Sequence, residues 1–485
     1  MSHWGNPLGD NRAKELLKLG AEAVSRARKL PSGDSRERDY IDAVGLLFEN
    51  YATTDDHPRA VAFEKAMEKL VERYPEDSEA AIFFAMALNG TADLTDKTYA
   101  QPLRAAKILE AVFEAQPNHP GIADYIIHSY DAPSLAKYAL PAARQYAGIA
   151  PAAPHALHMP SHTFTRLGHW QESIETNIRS AEAAMAAESP GEALHAIDYM
   201  TYAYLPTGQD TAAAVAVPRA AEVYTQVPSN DRYLVAGAYA AAAVPTRFAL
   251  ERGDWTVATQ VPTVKSPAPF IDAIVDFAHG IGATRNKDIE GGSAALANLK
   301  AAEEQLQKNA YWAGRVEIQR TIVEAWLKHA RGNQDAALIT MRKAVELENA
   351  SEKWAISPGP LAPAGEQLGE LLLELGRPSE ALNAFQTAVE KEPRRFRGLY
   401  GAALAAVGAG KAELAREYFS RLVEICKDAD AERPELVHAR AYVAGAELYR
   451  CAFSTRSGCR PAVGASSVFN GYAGLPVFKI VFRSA

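Results

Sequence analysis

The chain has 485 residues, 48% of them hydrophobic, with a formal net charge of −8. That balance argues against a nucleic-acid backbone as the main partner, since such proteins carry basic surfaces, and no run of eighteen apolar residues calls for a membrane span. The three cysteines, Cys426, Cys451 and Cys459, come late and form no C-x-x-C pair, so neither a disulfide staple nor a thiolate metal knuckle is expected in the main body.

At the N-terminus, MSHWGNPLG reads as the tail of a helix, and MSHWGNPLGDNRAKELL lacks the basic start and apolar segment of a signal peptide. The expected compartment is therefore the cytoplasm, or the periplasm if a targeting peptide is missing from the chain. The first helix pairs end at Tyr74-Pro75 and Gln116-Pro117, where proline opens the next turn. The charged face from Glu64 to Arg73 reads as a solvated outer surface. Helix–Gly–helix units then recur around Gly168, Gly208, Gly253 (RFALERGDWTVATQV) and Gly332 (EAWLKHARGNQDAALITMRKAVELENA, 324–350).

The clearest unit is LGELLLELGRPSEALNAFQTAVEKEP, with Leu368-Gly369, Leu372, Gly376, Ala381, Phe385, Ala388 and Pro393. Gly369 and Ala381 are small where two helices cross, and Leu372, Phe385 and Ala388 fill the seam at helical spacing. Gly376 ends the first helix. Ala403, Ala406, Gly410, Ala415 and Phe419 repeat the pattern one period on. This spacing resembles the tetratricopeptide consensus. It predicts an all-α, right-handed α-solenoid of about nine to eleven helix pairs at a period of ~34–40 residues. Four regions are expected: tetratricopeptide-like repeats over 1–115, central repeats with a histidine- and aspartate-rich groove over 116–230, C-terminal repeats over 231–450, and an irregular tail over 451–485.

The chemically pointed feature is the histidine distribution. Of twelve histidines, six fall between residues 128 and 195: His128, His155, His158, His162, His169 and His195. His155, His158 and His162 stand at i, i+3 and i+7, within roughly 60° of one another on a helix, so they form one stripe. Pro160 removes a ladder hydrogen bond and is expected to kink that helix.

Gly168 and Gly208 lie forty residues apart. The same shift places His195 on His155, Asp198 on His158 and Tyr202 on His162. One ordinary period upstream, His128 falls on His162 and Asp124 on His158. Asp124, His128, His155, His158, His162, His195 and Asp198 are thus the expected metal ligands, drawn from first helices that line one hollow. Imidazole and carboxylate without thiolate suit a divalent Zn, Fe, Mn, Ni or Cu. His128, His158 and His162 are expected to share one ion. Tyr125, Tyr130, Asp131, Arg166, Tyr199 and Tyr202 are candidates for orienting the ligands. Arg247, at the ninth groove position of the next repeat, is a candidate carboxylate grip or a structural ion pair.

The segments GIADYIIHSYDAP, APHALHMPSHTFTRLG and HAIDYMTYAYL also resemble a family of bacterial tetratricopeptide proteins. These carry H-Y-x-I-H followed by H-x-x-H-M-P-[SA]-H. The likeness covers roughly 115–210, and the chain departs from it at Asp124, where the family pattern implies histidine.

The expected function is a scaffold with a His/Asp metal site in a concave groove that binds or transforms a small molecule or peptide. The alternative is a metal-free peptide or protein interaction module. If the protein is an enzyme, metal-dependent hydrolysis or oxidation is the expected chemistry. No phosphate-cradling glycine loop, G-x-S-x-G or H-E-x-x-H is present.

Overall fold

The computed structural model describes residues 11–445, apart from 32, 94–95 and 352–355. The expectations for MSHWGNPLG, for Cys451 and Cys459, and for the tail 451–485 lie outside the described residues. Among those residues all regular structure is helical, with one 3₁₀ turn, Leu205–Thr207, and no strand. None of these helices is long and apolar enough to cross a membrane. The chain divides into two compact units, Met1–Thr163 and Phe164–Ala485.

In the first unit the helices Asp56–Arg73, Ser78–Thr91, Ala100–Ala115, Ile122–Ser129 and Ala136–Ile149 pack each on the next. Phe63, Met67 and Leu70 recur at helical spacing and are buried, while Lys65, Lys69 and Glu72 between them face outward. The helices Asp56–Arg73 and Ala100–Ala115 end at Tyr74 and Gln116, just before the prolines that punctuate the sequence. Asp77 caps the next helix by accepting from the Glu79 and Ala80 amides.

The second unit runs from Trp170–Ala186 to Pro434–Val443, again chiefly through contacts between consecutive helices. The turn glycines Gly168, Gly208, Gly253, Gly332, Gly376 and Gly410 all have φ between 64° and 83°. A side chain pays a steric penalty in this left-handed region, so glycine is the cheapest way to stop one helix and start its partner. At Gly253 the turn is closed by its own amide, which donates to the carbonyls of Ala249 and Leu250.

The seam is tightest at Phe385, which is fully buried between the helices Ala364–Glu374 and Phe396–Gly408. A Cβ on Gly369 would stand 2.5 Å from its ring, and one on Gly401 would stand 2.3 Å away. The two glycines are therefore required by the ring rather than by backbone conformation.

Within this unit the contacts go beyond neighbouring repeats. Trp170 Nε1 donates to the carbonyl of Arg394, and the carboxylate of Asp430 accepts from the amides of Thr211 and Ala212. Three buried arginines fasten the same join. Arg247 binds Asp198 through Nε at 2.7 Å, the carbonyls of Gly359 and Pro360 at 3.2 Å each, and Ser357 Oγ at 3.1 Å. Arg395 bridges Glu366 at 2.8 Å and Glu251 at 2.6 Å. Arg433 holds Asp210 at 2.8 Å and the Leu205 carbonyl at 2.9 Å. Arg247 and Arg395 both lie over the Tyr202 ring, at 5.0 and 5.3 Å. A stack in which each repeat touched only its neighbours would leave these inner-face groups in water. Here the 190–253 helices instead pack on 356–366 and 393–436.

Gly401→Ala should destabilise the C-terminal repeats by about 1–3 kcal/mol through overpacking, and Phe385→Ala by about 3–5 kcal/mol through the void it leaves. Adding Phe385→Leu to Gly401→Ala should recover part of the loss, read from urea unfolding. Arg247→Leu leaves Asp198 buried without its cation and should cost about 3–5 kcal/mol, whereas the same change at exposed Arg219 should be near neutral.

The pH dependence centres on His438. Burial pushes its imidazole down to about 4 from 6.5, and its Nδ1 lies 2.9 Å from the Tyr400 hydroxyl. Between those two values the unfolded chain binds a proton that the native protein refuses. The contribution is therefore intact above pH 6.5 and is lost progressively as pH falls to about 4. Urea midpoints of His438→Gln should fall less steeply than wild type across that window.

Candidate metal centre

The site residues of the first unit come from three short helices. Ile122–Ser129 carries Asp124 and His128 one turn apart. Its Ile122, Ala123, Ile126 and Ile127 are buried, which fixes the helix and leaves Asp124 held on an apolar base. Pro154–His158 begins with proline at its first turn, where the missing amide costs nothing, and carries His155 and His158. Pro160 then breaks the ladder and a new helix, Pro160–Leu167, carries His162. The expected kink is a one-residue break at Met159, whose backbone stays in the α-helical region, between His158 and His162.

Asp124 is 6% exposed. Its Oδ1 lies 3.7 Å from His155 Nε2 and its Oδ2 lies 3.9 Å from His128 Nε2. Ligand atoms of Asp124, His128 and His155 all stand within 4.8 Å of one another. These separations are too long for hydrogen bonds, and Asp124 Oδ1 is buried with no hydrogen-bond partner among the described residues. Burial, partly opposed by the Asp124 charge, lowers the pKa of His128 and favours its neutral, lone-pair-bearing form.

The other two first-unit histidines form a separate group. His158 Nε2 and His162 Nε2 are 3.2 Å apart, and His162 Nδ1 is 3.1 Å from Asp131 Oδ2. Both rings are buried, at 2% and 1% exposure. The His128 and His162 rings meet edge to face with centroids 6.2 Å apart. The stripe is therefore divided: His155 goes with Asp124 and His128, and His158 goes with His162.

The candidate supporting residues are dispersed. Asp131 stands behind His162, as noted. Tyr125 is half-buried, and burial with the Asp124 charge raises its pKa. Tyr130 instead donates to Glu110 at 2.8 Å and packs on Tyr138. His169 pairs with Glu172 at 2.7 Å. Arg166, buried, belongs to the second unit.

His195, Asp198, Tyr199, Tyr202 and Arg247 also belong to the second unit. His195 stacks edge-on against Tyr199, 5.2 Å between centroids. The Tyr199 hydroxyl donates to the Ser357 carbonyl at 3.2 Å, and Tyr202 reaches Glu392 at 3.3 Å. Asp198, expected as a ligand, is fully buried against Arg247, and its lone pairs face guanidinium nitrogens. Of the two roles open to Arg247, the structural ion pair is the one it fills.

Sequence reasoning missed Tyr146, whose pKa is raised by burial and then by Asp124 and Tyr125. It also missed the partners Glu251, Glu366, Asp210, Arg395 and Arg433. Tyr146 lies on the second helix of its repeat, a face that the groove alignment ignores.

Residues 367–431 match the tetratricopeptide repeat family. No curated protein matches the chain. Among solved structures, the human IFIT1 dimer with m7Gppp-AAAA is similar at a TM-score of 0.40 and 14% identity, covering 85% of this chain and 87% of that one. The Cut9–Hcn1 hetero-tetramer of APC/C is similar at a TM-score of 0.28 and 12% identity, covering 89% of this chain and 86% of that one. Residues 367–431 thus carry the tetratricopeptide repeat match, and the packed helix pairs joined by turn glycines extend an all-α helical repeat fold along the described residues of the second unit.

Proposed function

We propose that the protein is a tetratricopeptide scaffold whose first unit holds a divalent transition-metal ion on Asp124, His128 and His155, at a site that binds or transforms a small molecule or peptide. One observation carries this reading: the buried Asp124 oxygen has no hydrogen-bond partner among the described residues, while two imidazole Nε2 atoms stand just beyond hydrogen-bond reach. A buried carboxylate is costly unless it is compensated. At the equivalent repeat position in the second unit, Asp198 is compensated by Arg247. Asp124 has only the two histidines as ion-pair neighbours among the described residues.

Two nitrogens and one carboxylate oxygen form a set that leaves coordination positions open. With zinc such a set supports Lewis-acid hydrolysis, and with iron it supports oxygen-dependent oxidation. The chain's own contribution is to place the two imidazoles on short helices against the buried Asp124 carboxylate. The repeat match over 367–431 independently supports a peptide or protein interaction role for the array, and that role stands alone if the first unit binds no metal.

The test is elemental analysis and calorimetric metal titration of untagged protein. Wild type should bind a divalent ion, and Asp124→Asn or His155→Ala should lose at least one equivalent while keeping its helical spectrum. Protons compete for the imidazoles, so occupancy should fall as pH drops below the histidine range near ~6.5. Equal, weak binding by wild type and Asp124→Asn at neutral pH would remove the metal reading.

A further inference from the structure

We infer that the first unit holds a second, distinct cation seat at His158 and His162, backed by Asp131, so that the site is binuclear rather than the single shared ion that the histidine stripe suggests. The inference rests on the metal reading above and deepens it.

Three observations carry it. First, the ligand atoms fall into two groups. His155 Nε2 faces Asp124 at 3.7 Å, whereas His158 Nε2 faces His162 Nε2 at 3.2 Å. One tetrahedral ion takes four protein donors at most, and usually three at a reactive site. The first unit supplies five, counting Asp124, His128, His155, His158 and His162.

Second, the spacing of the histidine pair matches a metal seat. Two nitrogens bound at 2.0–2.1 Å to a tetrahedral ion stand about 3.3–3.4 Å apart. The pair therefore needs almost no movement to accept an ion, because a proton shared between the rings sets nearly the same distance.

Third, the tautomer is set correctly. An ionised Asp131 at 3.1 Å requires the proton on His162 Nδ1, which leaves the Nε2 lone pair directed at His158. A carboxylate behind the distal nitrogen of a ligating histidine is the recurrent way proteins fix ring orientation and raise basicity. Both rings are almost fully buried, so water does not compete for that lone pair in the resting arrangement. His128 ties the seats together: it faces Asp124 at 3.9 Å and its ring touches that of His162, 6.2 Å between centroids.

The experiment uses untagged, full-length protein stripped with chelator and titrated with Co(II), with bound metal counted by mass spectrometry after dialysis. Wild type should hold two equivalents. Asp124→Asn should hold one, and His158→Gln/His162→Gln should hold one. Because both rings are buried and the double variant can fail to fold, Asp131→Asn provides the second reading. It leaves both imidazoles in place and should weaken one of the two equivalents by about 10–100-fold without changing the other. One equivalent in wild type that survives His158→Gln/His162→Gln and Asp131→Asn unchanged overturns the second seat and leaves the first standing. One equivalent abolished by substitution in either group also overturns it, in favour of a single shared ion. No binding by wild type overturns both readings.

Discussion

A helix pair of this kind cannot bury its own apolar face, and everything else in the protein follows from that constraint. Each pair must take its neighbour as the other half of its core. The close approach this requires is visible at Phe385, whose ring occupies the space that side chains on Gly369 and Gly401 would otherwise fill. It is visible again at the turn glycines, whose left-handed φ values let one helix reverse into the next within a few residues. Because the seam between helices supplies the stability, the inner face of the first helices is released from packing duty. Polar and titratable residues accumulate there.

Releasing that face from packing does not keep it in water. Asp124 and Asp198 occupy the same register in their repeats and both end up buried. A buried carboxylate needs a cation or a full set of donors. In the second unit the repeats pack on distant partners, and arginines from the same inner face meet the acids: Arg247 for Asp198, Arg395 for Glu251 and Glu366, Arg433 for Asp210. Each guanidinium also takes up carbonyls or an aromatic face. That unit has converted its potential binding groove into a structural join. In the first unit the ion-pair neighbours of Asp124 among the described residues are the imidazoles of His128 and His155.

The sequence made the repeat legible because its signals are local. A turn glycine, a seam phenylalanine and a proline after the second helix lie within one period, and each acts through nearest neighbours. The Pro160 interruption was legible for the same reason. The histidine cluster could be read as a stripe, since i, i+3 and i+7 spacing fixes a face. Its division into two groups could not, because Asp124 and His128 stand on a separate helix and meet His155, while His158 meets His162 one turn on. The fate of Asp198 was hidden more deeply. Its partner is 49 residues away, and the groups that complete the arginine's shell are 110 to 113 residues from it. No periodicity encodes how far a stack of repeats coils before it meets itself.

The contrast between the two aspartates also bears on why the first unit uses histidine. An arginine at the Asp124 position would neutralise the carboxylate permanently, since a guanidinium does not lose its charge in a protein. An imidazole lowered in pKa by burial does the opposite: at neutral pH it offers a lone pair and no charge. A pocket built from one carboxylate and two imidazoles offers converging lone pairs and open coordination positions. Neither feature stabilises the folded chain. The two Asp124–imidazole separations are 3.9 and 3.7 Å where a tetrahedral ion needs about 3.3 Å, so each of these pairs would contract by roughly half an ångström around an ion. Rotamer adjustment on short helices supplies a movement of that size without disturbing the seam behind them. The second unit invests its inner-face charges in holding itself together. In the first, Asp124 has two imidazoles as its ion-pair neighbours among the described residues, the arrangement on which the proposed cation site rests.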